Sequence, residues 1–157
     1  MEPAPPQLLP PVKIGNFDVD IAKLLKINPS NMQTEFEMVA GWIGTISYHY
    51  SLAKLKVERQ ERQIKALEAD KSRAARSRMM SVLTAAAAEA KKKTAGKPTE
   101  AQIKQEWIND PEIKAAYEKL DQTLIYLASL EAARQGLNTK RDMLVNLGAE
   151  LRRDRRQ

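Results

Sequence analysis

The sequence predicts an all-α protein, in which a long antiparallel helical hairpin or coiled coil assembles into a homo-oligomeric ring. An apolar helical period continues over almost seven heptads from Thr34 to Ser81, and further heptad ladders follow in the last third of the chain. A hairpin of 157 residues has little interior. One chain can bury only one apolar seam against itself, so closed self-association is expected to cover the rest.

The predicted order begins with a proline-rich arm and ends with a basic tail. Five prolines between Met1 and Pro11 favour a disordered, polyproline-like arm over residues 1–13. Residues 14–151 are expected to form one helical domain, and residues 152–157 the tail. At the start of the domain, apolar residues alternate and then cluster between Ile14 and Ile27, a pattern that predicts a strand followed by a helical turn.

The long helix is predicted to start at Asn28 and Pro29. Asn28 can cap the helix, and Pro29 fills the first position, where no amide hydrogen is needed. The a and d positions of the heptads are apolar through the first two thirds of the helix and turn basic from Lys71. These positions are Phe36, Val39, Ile43, Ile46, Tyr50, Ala53, Val57, Gln60, Ile64, Leu67, Lys71, Ala74, Arg78 and Ser81.

Two endings of this helix are compatible with the sequence. In the first, the alanines at 85–88 continue the helix, the lysines at 91–93 suit the negative end of its dipole, and Gly96 with Pro98 ends it. In the second, the helix frays near Met80 and a basic loop follows.

The second half of the chain contains two further helix starts. Thr99 and Gln102 form a capping box for a short helix through Trp107, and Asp110 with Pro111 starts the last helix. The last helix has its own apolar ladders, which favour antiparallel packing against the first long helix. The ladder positions are Ile113, Leu120 and Leu127 on one line, and Leu130, Leu137, Leu144 and Leu151 on the other.

The formal charge of +6 is concentrated in two blocks. Residues 54–97 carry 13 Lys and Arg against 5 Asp and Glu, and residues 140–157 carry 6 against 3. Such blocks attract polyanions whatever the total charge. Charge alone does not distinguish among single-stranded DNA, RNA, a duplex and an acidic protein tail.

Helix spacing indicates which cations of the first block are free. Acids that stand four residues before a base are expected to pair with it, and these pairs are Glu58 with Arg62 and Glu61 with Lys65. Glu68 with Lys71 and Asp70 with Arg73 are three residues apart and are expected to pair more loosely. Arg76 and Arg78 have no acid three or four positions away, which makes them the preferred phosphate ligands. An accessible stripe opposite the apolar seam is formed by Arg59, Arg62, Arg73 and Arg76.

The sequence contains no recognisable catalytic or metal site. There is no cysteine, so neither disulfides nor thiolate ligands are available. His49 is the only histidine and has no companion at metal-ligand spacing. Gly96 and Lys97 lack the first glycine and the preceding strand of a phosphate loop. We therefore expect a non-enzymatic protein without a cofactor or metal ion.

Nothing in the sequence indicates secretion or membrane insertion. The N-terminal segment lacks the basic start and apolar core of a signal peptide. No apolar run approaches the roughly 20 residues that cross a bilayer. The protein is therefore expected to be soluble and cytoplasmic, with no membrane partner.

Two stretches of the chain resemble the UvsY-type recombination mediators of tailed phages. One is the run Ile27-Asn28-Pro29-Ser30-Asn31-Met32, and the other is Lys140-Arg141-Asp142-Met143-Leu144-Val145-Asn146-Leu147-Gly148. Between them lie, in the same order, a tryptophan-bearing helix, a Lys/Arg-rich helix centre, a linker and a restart at Asp110. The resemblance extends from Lys26 to Leu151.

The resemblance implies a helical protein that forms a ring, here of roughly six to eight subunits, and binds single-stranded DNA. Such a protein helps a RecA-like recombinase displace single-strand-binding protein, and a phage-encoded one would act in the host-cell cytoplasm. In that family a Lys-x-Arg element late in the long helix contacts DNA. Its counterpart here is Lys71-Ser72-Arg73, with Lys65 as the alternative register.

The charge analysis and the resemblance together predict two sets of contacts. The DNA-binding residues are expected to be Lys71, Arg73, Arg76 and Arg78, with help from Lys91, Lys92, Lys93, Lys65 and Arg59. A second contact, to DNA or to a partner protein, is expected at Arg152, Arg153, Arg155 and Arg156.

Two other function classes remain open on the sequence alone. A coiled-coil scaffold or structural protein would turn its basic blocks toward acidic partners, and it would not bind oligonucleotides at physiological salt. A general RNA-binding or duplex-binding helical module would bind those ligands at least as tightly as single-stranded DNA.

Overall fold

A computed structural model of the protein describes residues 12–14, 17–90 and 96–154, and most of these residues are helical. The elements are the strands β1 (Val12–Ile14) and β2 (Phe17–Val19) and the helices α1 (Ile21–Leu24), α2 (Met32–Glu89), α3 (Glu100–Trp107) and α4 (Pro111–Asp154), with a 3₁₀ turn at Pro29–Asn31. The all-α prediction is confirmed, and a short two-stranded hairpin is added to it. No described helix combines the length and apolar character that a membrane crossing requires.

The chain divides into two compact units. Unit 1 comprises Met1–Leu55 with Leu124–Gln157, and unit 2 comprises Lys56–Thr123. Because α2 and α4 are the longest helices, each of them contributes residues to both units.

Unit 1 packs the small N-terminal elements against α2 and α4. Strands β1 and β2 pair antiparallel, with Val12 opposite Val19 and Ile14 opposite Phe17. Asp20 then caps α1, since its side chain accepts a hydrogen bond from the Lys23 amide at 3.1 Å. The prediction of a strand followed by a helical turn is confirmed. The buried core is formed by Ile14, Val19, Ile21, Leu24, Val39, Ile46, Ala53, Leu130, Ala133, Leu137 and Leu144.

A close approach at Gly136 brings the end of α1 against α4. A Cβ atom at this position would lie only 3.0 Å from the methyl groups of Leu25. Glycine therefore allows Leu25 to pack directly on the α4 backbone. At the end of the same helix, Gly148 lies beside Met32, the first residue of α2.

The predicted boundaries of α2 are largely correct. Asn28 does act as a cap, because its side chain accepts a hydrogen bond from the Ser30 amide at 3.1 Å. It caps a 3₁₀ turn, however, and α2 begins after that turn at Met32. The helix continues to Glu89, so the longer of the two predicted endings is confirmed that far. The lysines at 91–93 lie outside the described residues.

The buried stripe of α2 follows the ordinary helical period rather than a strict heptad. Val39, Val57 and Ala75 are buried and stand eighteen residues apart, which equals five turns of 3.6 residues. A strict heptad requires Ala74 to face inward, yet Ala74 is exposed. The predicted a/d seam therefore holds through Ile64 and fails beyond Lys71, because a 3.5-residue repeat drifts away from the buried face.

Unit 2 contains the second part of α2, all of α3 and the beginning of α4. Its buried residues are Val57, Ile64, Ala75, Ile103, Ile113, Leu120 and Thr123. The predicted capping box is present, since the Thr99 amide donates to Gln102 Oε1 at 2.9 Å and the Gln102 amide donates to Thr99 Oγ1 at 3.3 Å. Asp110 likewise accepts from the Glu112 amide at 2.9 Å, which confirms the start of α4.

Some residues of the predicted arm and of the predicted tail belong to a strand or a helix. Val12 and Lys13 belong to β1, and α4 continues to Asp154, so Arg152 and Arg153 form its last turn. Leu151 is 48% exposed, which ends the buried ladder at Leu144. The rest of the predicted arm, with Arg155 and Arg156, lies outside the described residues.

Candidate nucleic-acid interface

Among the described residues, the first basic block contains two groups of four cations that differ in their partners. The first group lies in the second half of α2 and is paired with carboxylates. Lys71 Nζ lies 2.8 Å from Asp110 Oδ2 and 2.9 Å from Glu112 Oε2 at the start of α4. Asp110 and Glu112 raise the pKa of Lys71, and the ammonium group of Lys71 holds the pKa of Asp110 below its usual range.

The arginines that follow Lys71 are paired as well. Arg76 contacts Glu100 and Arg78 contacts Glu106, both on α3, and Arg73 pairs with Asp70 on its own helix. The prediction that Arg76 and Arg78 are free cations is therefore wrong. It considered only acids three or four positions away along the helix, whereas the partners come from a different helix. Exposed pairs of this kind contribute only about 0.2–1 kcal/mol each.

The second group lies one to four turns earlier on α2 and has no carboxylate partner among the residues described here. It consists of four exposed cations at every third position, which we call the basic ridge: Lys56, Arg59, Arg62 and Lys65. Residues three apart form a continuous ridge on a helix surface, and successive members rise by roughly 4.5 Å along the axis. Each step also turns by roughly 60° about the axis, so the basic ridge winds obliquely across the exposed surface of α2, with Arg59 and Arg62 at its centre and Lys56 and Lys65 pointing to opposite sides.

The salt pairs that the spacing predicted within this ridge do not form. Arg62 Nε donates instead to the backbone carbonyl of Glu58 at 3.2 Å. Within the described part of the chain, neither Arg62 nor Lys65 makes an ion pair. The predicted pairs of Arg62 and Lys65 are therefore wrong, whereas the looser pair expected between Asp70 and Arg73 is confirmed.

The remaining cations that were predicted to bind DNA or a partner belong to neither group. Arg152 and Arg153 are exposed in the last turn of α4, in unit 1. The lysines at 91–93 and the arginines at 155–156 lie outside the described residues. The basic ridge and the paired group both belong to unit 2.

A cavity of about 440 Å³ lies in unit 2. Its walls include Trp107 of α3 and Tyr117 of α4. The hydroxyl of Tyr117 donates to Glu68 Oε1 at 2.8 Å, which raises the pKa of Tyr117. Trp107 is partly buried, and its Nε1 is buried without an acceptor. Tyr117 remains 44% exposed, and Trp107 is the more buried of the two aromatic residues.

Lys140 is a buried cation with three polar contacts, which the sequence analysis did not predict. Its side chain is 2% exposed in the core of unit 1. Nζ donates to the carbonyl oxygens of Leu24 at 2.8 Å and Lys26 at 2.6 Å, and it lies 2.5 Å from Glu35 Oε2. The sequence could have indicated this burial, because Lys140 stands three residues after Leu137 and four before Leu144, on the buried face of α4.

The described residues include no group of three or more potential metal ligands. The arrangement on α2 is suited to electrostatic contact with phosphates, which bind exposed Lys and Arg side chains. Comparison with known proteins does not indicate a family, since no family model, curated protein or solved structure matches this chain significantly.

Proposed function

We propose that this protein is a non-enzymatic recombination mediator that binds single-stranded DNA through the basic ridge of α2. The observation that supports this proposal is the line of four exposed cations, Lys56, Arg59, Arg62 and Lys65, with no carboxylate partner in the described structure. A strand can bind these cations without displacing a competing carboxylate. Binding is expected to be mainly electrostatic and tolerant of sequence.

The proposed site differs from the one that the sequence favoured. Arg59 and Lys65 are retained, whereas Lys71, Arg76 and Arg78 are assigned a secondary role because each already contacts an acid. Phosphates reach those three residues only in competition with a carboxylate.

The mediator role rests on the resemblance to UvsY-type proteins. The two stretches that carry the resemblance lie close to each other in unit 1. Gly148 of the second stretch lies beside Met32 of the first, and Lys140 contacts the carbonyl of Lys26, the residue directly before the first stretch. The role further proposes a homo-oligomeric ring, a RecA-like recombinase and single-strand-binding protein as partners. The ATP used during loading would belong to the recombinase.

The double variant Arg59→Ala/Arg62→Ala tests the ridge. Each phosphate contact on a single strand contributes about 0.7 to the slope of log affinity against log salt. We expect weaker binding of labelled oligo(dT) in anisotropy titrations, with a slope reduced by about 1.4. An unchanged affinity and slope would exclude the ridge as the binding site.

The matched control for that experiment is Lys114→Ala/Lys119→Ala. It removes two exposed cations from α4 in the same unit, so it should leave the slope unchanged.

Parallel titrations with RNA and duplex of equal length separate the function classes. Tighter binding to either would favour a general nucleic-acid module, and the absence of binding at physiological salt would favour a scaffold.

The mediator role is tested on single-stranded DNA that is already coated with single-strand-binding protein. The wild-type protein should shorten the lag before a cognate RecA-like recombinase hydrolyses ATP, and the ridge variant should not. If the lag is unaltered with several cognate recombinases while DNA binding persists, the mediator role is wrong and a DNA-binding scaffold remains.

A further inference from the structure

Two carboxylates of α3 form ion pairs with arginines in the second half of α2. Glu100 in the first turn of α3 contacts Arg76, and Glu106 in its last turn pairs with Arg78 at 3.2 Å. α3 is therefore tied to α2 by an ion pair at each end. A carboxylate and a phosphate bind a guanidinium through the same charge-assisted hydrogen bonds. The two glutamates thus occupy the positions that phosphates of a bound strand would take.

The other attachments of α3 are few. The helix has eight residues, and Ile103 is its only fully buried side chain. Trp107 adds apolar contact, but its buried Nε1 has no acceptor, and an unsatisfied donor offsets part of what burial contributes. The cavity of about 440 Å³ along Lys104, Trp107 and Ile108 reduces the contact further. The release of α3 would therefore expose one fully buried side chain, Ile103, and the partly buried Trp107.

The ion pairs that hold α3 are accessible to competitors. The side chains of Arg76 and Glu100 are 54% and 79% exposed, and those of Arg78 and Glu106 are 69% and 28% exposed. Salt and polyanions screen and compete for exposed pairs much more than for buried ones. A strand that is already bound at the ridge would hold further phosphates at high local concentration beside these arginines.

We propose that α3 is an acidic cover whose glutamates compete with single-stranded nucleic acid for Arg76 and Arg78. This inference rests on the proposed function, because it assumes that a strand first binds the basic ridge. The strand then displaces Glu100 and Glu106, α3 lifts from α2, and the binding site extends by two arginines. The cover limits the length of strand that binds at low concentration.

The double variant Glu100→Gln/Glu106→Gln tests the competition. It removes the competing charges while it keeps the size of both side chains. Binding of oligo(dT) should tighten by roughly 3- to 10-fold at moderate salt, as expected for the loss of two exposed ion pairs. The salt slope should steepen by about 1.4, for two added phosphate contacts.

The control variant Glu58→Gln/Glu61→Gln also removes two exposed negative charges from unit 2, next to the ridge and without contact to α3. It distinguishes competition from a general change of charge. If both variants change the affinity and slope equally, the cover proposal is wrong. If the α3 variant alone steepens the slope, the proposal is supported.

A second measurement reports on α3 directly in a full-length chain with unaltered glutamates. The protein has two tryptophans, and Trp42→Phe leaves Trp107 of α3 as the only one. When saturating oligo(dT) binds, the emission of Trp107 should shift to longer wavelength, and acrylamide should quench it more strongly. If anisotropy shows binding while both signals stay unchanged, α3 does not lift and only ridge binding remains. If no strand binds, the proposed function fails first.

Discussion

Lys140 is a charged residue in the core of unit 1, and its three oxygen neighbours explain why its burial is tolerated. An ammonium group has three hydrogens. The carbonyl oxygens of Leu24 and Lys26 and the carboxylate of Glu35 surround it within 2.8 Å. Because these oxygens belong to the end of α1, the segment after it and the first turns of α2, one side chain of α4 connects three parts of the unit.

The variant Lys140→Met should destabilise unit 1 severely. Methionine fills similar space but leaves the carboxylate of Glu35 and two carbonyl groups without the cation. Breaking a buried ion pair on one side costs about 3–5 kcal/mol. Chemical denaturation followed by the fluorescence of Trp42, in a Trp107→Phe background, measures this loss. The exposed residue Lys119 supplies the control, since Lys119→Met should change the free energy of unfolding by less than about 0.5 kcal/mol.

Single residues also show what the sequence could and could not predict. The caps at Asn28, Thr99 and Asp110 were predicted correctly, because a capping hydrogen bond joins residues two or three positions apart. The partners of Arg76 and Lys71 were not, because they lie 24 and 39 residues away in sequence. Pairing of that kind depends on how helices pack, which local spacing does not encode.

At the start of α4, Asp110 has two structural roles. Asp110 accepts the Glu112 amide and pairs with Lys71 of α2, so it joins a helix cap to an ion pair. The contact with Lys71 is the largest cause of the lowered pKa of Asp110. A group with a lowered pKa in the folded state stabilises the fold above its ordinary value of 3.8. That contribution is lost as the pH falls from 3.8 through the lower folded-state pKa.

The variant Asp110→Asn should therefore reduce the melting temperature at neutral pH and lose its effect in acid. Asparagine keeps the cap but cannot pair with Lys71. Melting curves of the wild type and the variant should converge below pH 3.8. The pKa of Lys71 is raised from 10.5, so the same difference should also shrink as the pH rises above that value. A difference that stays constant from acid to neutral pH would show that the ion pair contributes nothing, and Asp121→Asn controls for the loss of one exposed charge.

For α2, the heptad pattern predicted the buried face in the first part of the helix but not in the later part. The apolar heptads correctly placed Val39, Ile46 and Ala53 in a core. Beyond Leu67 the apolar pattern weakens, and burial passes to Ala75 rather than Ala74. Alanines occur in both positions, so composition could not indicate which of them faces inward.

At the scale of the molecule, unit 1 exposes an uncharged surface. No Asp, Glu, Lys or Arg occurs between Met38 and Ala53, and Tyr48, Leu52 and Leu55 form an exposed apolar stripe away from the core positions of α2. On α4, Leu124 and Ile125 are exposed in the same unit. Helices without charge on their outer face are typically covered by another apolar surface. This supports the proposed self-association through unit 1.

A single charge in this surface should weaken self-association. We expect Ile125→Lys to shift the mass measured by light scattering toward smaller species at micromolar concentration, because a lysine buried between copies would lose its hydration. Val82→Lys is the matched control, since Val82 is 67% exposed in unit 2 and Ile125 is 68% exposed in unit 1. A wild-type protein that is monomeric under these conditions would contradict the proposed ring.

The continuity of α2 and α4 restricts how the length of this protein can change during evolution. Both helices pass from one unit into the other without a loop, at Leu55–Lys56 on α2 and at Thr123–Leu124 on α4. One inserted residue would turn every later side chain of that helix by about 100° and move its buried face toward solvent. Tolerated changes within either helix should therefore occur in whole numbers of turns, most simply as blocks of roughly 18 residues, and single-residue insertions should be confined to the connections between helices.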